Sequence, residues 1–116
     1  MIRASMLALT LAALLAGSNA HAAQSPRPGP LDRRVTEITY RANDVVRINA
    51  TYGISTMIIF GDDEKFETIA LGDTESWQVV PTDKGNILFI KPVAKDASTN
   101  LNVVTSKRIY YFEMFD

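Results

Sequence analysis

Gly72-Asp73-Thr74-Glu75-Ser76-Trp77-Gln78-Val79-Val80-Pro81 joins a tight turn to the sole tryptophan and then to a strand that ends on proline. Gly72 predicts a chain reversal, and Asp73 is placed to hold the reversed backbone through side-chain hydrogen bonds. Residues 73–76 are the one place suited to a single helical turn, because Asp73 or Thr74 can cap free backbone donors there. Trp77 then brings a large apolar area into the core, and Pro81 ends the strand by withholding a ladder donor. Gly72, Asp73, Trp77 and Pro81 are therefore expected to form a structural anchor, not an active site.

On either side of this run, short apolar stretches alternate with turn residues and no helical period is sustained. Val46, Ile48, Ala50 and Tyr52 alternate with Val45, Arg47, Asn49 and Thr51, which predicts a strand with one buried and one wetter face. Residues 56–60 form a continuous apolar run ending at Gly61-Asp62-Asp63-Glu64-Lys65, and a further strand covers about 66–71. These two are expected to pair as a hairpin with a wide charged loop. Strands at 77–80 and 87–93 flank a loop with good turn chemistry at Lys84-Gly85-Asn86, and strands at 101–105 and 108–115 are separated by only Ser106-Lys107. Seven or so short strands in about 80 residues predict an all-β fold. An immunoglobulin-like β-sandwich is preferred, with a small open β-barrel as the alternative.

The amino terminus predicts the compartment. Met1-Ile2-Arg3 is a short positive start, residues 6–15 are apolar but too few to span a bilayer comfortably, and Ala20-His21-Ala22 supplies small residues for cleavage. Residues 1–22 are read as a secretory signal peptide cut between Ala22 and Ala23, with Ser18-Asn19-Ala20 allowing a cut two residues earlier. Residues 23–36, containing Pro26, Pro28 and Pro30, are expected to be an extended, flexible leader, and residues 37–116 the single β-domain. A periplasmic protein follows from this reading. No later apolar stretch approaches the length of a membrane helix, so direct membrane insertion is not expected.

Eleven basic and thirteen acidic residues remain after removal of residues 1–22, a formal charge of −2. Such a balance offers no field for gripping a nucleic-acid backbone. The chain has no cysteine, and its one histidine, His21, falls in the signal segment. The common nucleophile and base pairs and the usual zinc sites are thereby excluded from the mature chain. Asp62-Asp63-Glu64 is the densest acidic cluster, but it lacks the spacing and ligand count of a calcium loop and is read as a solvated hairpin tip. No catalytic residue, cofactor or metal is expected. In the last strand Ile109, Tyr111 and Phe115 alternate with Tyr110, Phe112 and Met114, so both faces carry apolar or aromatic groups. Either the chain's own fold covers Ile109, Tyr111 and Phe115 or a partner does.

Several segments, taken in order, resemble the amino-terminal domain of the TrbG/CagX-type family of conjugal transfer and type IV secretion proteins. They are Asn43-Asp44-Val45-Val46-Arg47, Tyr52-Gly53, the 72–81 run, Leu88-Phe89-Ile90-Lys91-Pro92, Thr99-Asn100-Leu101 and Lys107-Arg108-Ile109-Tyr110-Tyr111-Phe112-Glu113. The resemblance implies a β-domain that assembles into rings of an outer-membrane core complex, beside ring neighbours, a TrbI-type scaffold subunit and a small lipoprotein. Typical relatives continue into a second β-domain that packs with the lipoprotein, whereas this chain stops at Asp116, which puts lipoprotein binding in doubt.

The expected function is that of a non-enzymatic periplasmic structural or accessory subunit of a type IV secretion or conjugal transfer apparatus, acting through protein–protein association. Two alternatives stand beside it. One is a periplasmic ligand-binding or adhesin-like sandwich, which needs a groove of aromatics with convergent polar groups. The other is a hydrolase built on carboxylates or a Ser/Lys pair, which needs two of Asp62, Asp63, Glu64, Asp73 and Glu75 in one pocket.

Overall fold

The structure, a computed structural model, describes residues 22–116. The expected signal segment and His21 lie outside the described residues, and the expected cut between Ala22 and Ala23 falls at their start. Among the described residues there is no helix, and nine strands are present: β1 (Arg27–Pro28), β2 (Thr36–Glu37), β3 (Val45–Asn49), β4 (Thr56–Ile59), β5 (Phe66–Leu71), β6 (Trp77–Pro81), β7 (Ile87–Pro92), β8 (Ser98–Thr105) and β9 (Ile109–Phe115). β3 to β9 form two sheets, a four-stranded one in the order β3-β9-β8-β5 and a three-stranded one in the order β4-β7-β6. The fold is an open all-β sandwich, not a closed barrel.

Period-2 patterning explains which side chains meet between the sheets. Leu88, Ile90 and Pro92 of β7 are buried, as are Leu101 and Val103 of β8 and Phe112 and Met114 of β9. They join Ile48, Phe60 and Trp77 in one core. β3 runs parallel to β9 from Val45 opposite Tyr111 to Asn49 opposite Phe115, so the first and last core strands lie side by side. β8 and β9 pair as the expected hairpin, from Ser98 opposite Phe115 to Val104 opposite Ile109.

The expected hairpin between β4 and β5 does not form. β4 pairs with β7, and β5 pairs with β8 in the opposite sheet. The physical cause lies in the β6–β7 loop, where Gly85 has φ +78°. Gly85 O accepts a bond from Phe66 N at 2.8 Å, while its neighbour Asn86 O accepts one from Phe60 N at 2.8 Å. Two successive carbonyls thus hold the two ends of the 61–65 turn to different partners, and the turn becomes a corner between sheets.

Residues 23–36 are tied to the domain by their backbone. Gln24 N donates to Val45 O and Gln24 O accepts from Arg47 N, both at 2.9 Å, and Gly29 N donates to Val35 O at 2.6 Å. β1 and β2 pair Arg27 with Glu37 and Pro28 with Thr36, so this short ladder crosses the boundary expected at residue 37. Most side chains here remain outside the core, in keeping with a segment that contains three prolines and little apolar area.

Candidate functional site

Residues 61–64 carry the chain across the sandwich, and Glu64 is the centre of what they build. Glu64 N donates to Gly61 O at 3.0 Å, closing a tight turn, while Gly61 N donates back to Glu64 Oε2 at 2.8 Å. A Cβ at position 61 would lie 2.7 Å from that carboxylate oxygen, so the close approach requires glycine. Tyr110 Oη donates to Glu64 Oε1 and Oε2 at 2.7 and 2.8 Å, and Thr105 Oγ1 donates to Oε1 at 2.7 Å. The Arg108 guanidinium completes the group at 3.1 Å from Oε2.

Glu64 is only 1% exposed, so the reading of Asp62-Asp63-Glu64 as one solvated tip is corrected: Asp62 and Asp63 face water and Glu64 does not. Burial pushes its carboxyl up, but the bonds from Tyr110, Thr105 and Gly61 and the Arg108 charge outweigh burial and leave it below the ordinary carboxylate range. Burial, followed by the bond to Glu64 and that group's charge, pushes the Tyr110 phenol up to about 12. Thr105 also accepts from Arg108 N at 3.0 Å, which fastens the β8–β9 hairpin turn to the same cluster. Nothing in the spacing of residues 64, 105, 108 and 110 marks them as neighbours in the chain.

A cavity of about 240 Å³ opens beside this cluster, walled by Tyr40, Phe60, Tyr110 and Phe112. Its lining also carries Gln24, Thr39, Arg41, Asp44 and Tyr111, while Glu64 and Arg108 are spent on each other. Of the five carboxylates weighed for hydrolysis, Glu64 alone lines any of the four cavities described, and no three metal-ligating side chains cluster among the described residues. Asp44 is the other carboxylate that lines the cavity with Glu64, and its Oδ1 accepts from Val45 N at 2.9 Å.

The 72–81 run lies at the other end of the sandwich. Asp73 Oδ1 accepts from Glu75 N and Ser76 N at 3.0 Å each, which caps the turn before Trp77 and lowers the Asp73 pKa through the Ser76 and then the Glu75 bonds. Trp77 is 1% exposed, and its Nε1 has no hydrogen-bond partner. Gly72 does not act through a positive φ. A Cβ there would overlap the Asn100 side-chain oxygen and lie 2.6 Å from Thr99 Oγ1, which accepts from Asp73 N at 2.8 Å. Thr82 N donates to Ile87 O at 2.9 Å, and the antiparallel alternation then turns the Pro81 nitrogen away from β7, where no donor is missed.

The three outward residues of β9 are not one patch. Ile109 is 46% exposed and lines a cleft of about 330 Å³ with Tyr111. Phe115 lies six residues on, about 20 Å along the strand, with the Arg47 guanidinium 4.0 Å from its ring centroid. A second apolar surface, on the three-stranded sheet, escaped the sequence reading. Register places Met57, Phe89 and Val80 in one row across β4, β7 and β6, with Ile59 beside Ile87 in the next. Met57, Ile59 and Val80 are exposed, Ile59 by 63%. The unbroken apolar run at 56–60 was the available signal, since alternation leaves one of its two faces outside.

Below β4 lies a groove of about 490 Å³ between the two sheets, lined by Val35, Ile38, Val46, Ile48 and Met57. These surfaces and the fold define an all-β sandwich with open apolar faces. The chain belongs to the CagX family of conjugal transfer proteins, whose family model matches residues 33–116. It is 35% identical over 127 aligned positions to the type IV secretion system protein PtlF of Bordetella pertussis, covering 98% of this chain and 45% of that protein. To the type IV secretion system protein virB9 of Bartonella henselae it is 34% identical over 88 positions, covering 72% of this chain and 30% of that protein. The virB9 of Brucella abortus is 29% identical over 109 positions, covering 80% and 37%. The chain thus spans less than half the length of these relatives. No helix among the described residues is long and apolar enough to cross a membrane.

Proposed function

We propose that this protein is a non-enzymatic structural subunit of a type IV secretion or conjugal transfer apparatus, working in the periplasm through protein–protein association. Membership of the CagX family across residues 33–116 is the observation that carries this reading. The row of exposed Met57 and Val80 on either side of half-buried Phe89 supports it, because exposed apolar area of this kind marks association surfaces. Ile109 and Tyr111 offer a second, smaller contact, and Phe115, covered by Arg47, is available only if that side chain moves. The partners are ring neighbours and a scaffold subunit of the apparatus.

The test is co-purification of the tagged chain from envelope extracts of cells that express the apparatus. Co-migration with other secretion subunits, weakened by Met57→Asp with Val80→Asp, is the expected result. A chain that migrates alone under all extraction conditions would remove the proposal.

A further inference from the structure

The sandwich has four edge strands, and three of them are blunted. β3 is covered by Gln24, which exchanges both backbone bonds with Val45 and Arg47. β5 carries a bulge between Phe66 and Thr68 and the exposed charge of Glu67. β6 ends on Pro81, whose nitrogen faces outward with no hydrogen to give. Charges, bulges, prolines and covering segments are the usual protections against strand addition.

β4 has none of them. Its sequence Thr56-Met57-Ile58-Ile59 has no charge, proline or bulge. Because Phe60 N donates to Asn86 O, the alternation directs the backbone groups of Ile58 and Thr56 to β7 and those of Met57 and Ile59 outward. Four backbone groups therefore face the groove, whose far wall includes Thr36 and Glu37 of β2, and among the described residues no backbone hydrogen bond crosses it. The groove floor is apolar, and Glu37 is the only charged residue that lines it. Arg27, its partner across the β1–β2 ladder, makes no ion pair with it among the described residues.

We propose that β4 is a strand-addition site for an extended segment of another subunit, with apolar residues at alternate positions entering the groove and a lysine or arginine opposite Glu37. The added strand bonds to Met57 and Ile59 and continues the three-stranded sheet. This proposal rests on the association reading above and names the edge and the chemistry of the segment. The net acidic balance of residues 23–116 and the lone Glu37 favour a basic foreign segment over a second copy.

The test uses the full chain and a soluble ten-residue probe of alternating valine and threonine with one central lysine, beside the same probe carrying glutamate there. The lysine probe is expected to bind at least tenfold more tightly and to slow hydrogen exchange at the Met57 and Ile59 amides. Ile59→Pro, which removes an outward donor without touching the β7 ladder, should lower affinity at least tenfold at unchanged melting temperature. Glu37→Lys should reverse the preference between probes, and this exposed change keeps the test valid if the proline variant misfolds. Absence of binding, binding without protection of those two amides, or an unchanged probe preference in Glu37→Lys would each overturn the site. So would a concentration-dependent dimer abolished by Glu37→Lys. Lost probe binding with retained co-purification removes this site alone, whereas the converse removes the association reading.

Discussion

The phenol oxygen of Tyr110 stands 2.7 and 2.8 Å from the two carboxylate oxygens of Glu64, and so binds the last strand to the turn that carries the chain between sheets. A carboxylate 1% exposed would be costly alone. Here Gly61, Thr105 and Arg108 join Tyr110 in satisfying it, which makes the corner a cross-link between residues 46 positions apart in the chain.

Removing either partner should therefore cost more than an average surface change. Glu64→Ala is expected to lower stability by ~1–3 kcal/mol, because it leaves three donors without their acceptor while the Arg108 side chain, 40% exposed, turns to water. Tyr110→Phe, which removes one bond to a charged group, should lower it by ~1.5–3 kcal/mol. Urea unfolding at neutral pH measures both, and a loss below ~1 kcal/mol for Glu64→Ala would show that the cluster adds little to stability.

The same cluster predicts a pH dependence at each end. The Glu64 carboxyl is depressed in the fold, so its contribution is present above the unfolded value of about 4.3 and fades as pH falls through the lower folded value. Stability should fall less steeply below about pH 4.3 in Glu64→Gln than in the parent. Tyr110 is raised to about 12, so its contribution is present below the unfolded value of about 10 and is lost as pH climbs through about 12. Ultraviolet titration of phenolate, compared with Tyr110→Phe, should show one tyrosine ionising only in that upper range.

Burial of Trp77 sets a third expectation. Trp77→Ala should cost ~3–5 kcal/mol, and the parent should fluoresce at the short wavelengths of a dry indole. A cost below ~1 kcal/mol would show that the indole is not a core anchor.

The turn before it is testable separately. Asp73→Ala removes the acceptor for Glu75 N and Ser76 N and should lower the melting temperature measured by thermal unfolding. Gly72→Ala should lower the melting temperature, because its Cβ displaces Thr99 Oγ1 from the bond it accepts from Asp73 N, whereas the exposed Asn100 side chain can turn away. A Gly72→Ala change that is neutral by thermal unfolding would contradict the crowded packing.

Strand existence was legible because period-2 patterning and turn residues are local signals. The β8–β9 hairpin was legible for the same reason, since Ser106-Lys107 leaves the two strands little other choice. The β4–β5 pairing was misread because the sequence at 61–65 is equally compatible with a hairpin tip and with a corner. Its outcome was decided by Gly85 and Asn86, about twenty residues further on. Glu64 was misread with it, since an acidic residue beside two exposed aspartates carries no local sign that Tyr110 and Arg108 will meet it.

By itself the sequence determined the all-β class, the apolar residues available for a core, the lack of cysteine, and the family likeness, because composition and alternation are properties of the chain alone. Tertiary structure alone decided which strand edges stay open, which carboxylate is buried, and that the outward face of β4 is as apolar as its inward one. Those depend on what each backbone and side chain meets across the sandwich, and such contacts join residues too distant in sequence for any local pattern to record.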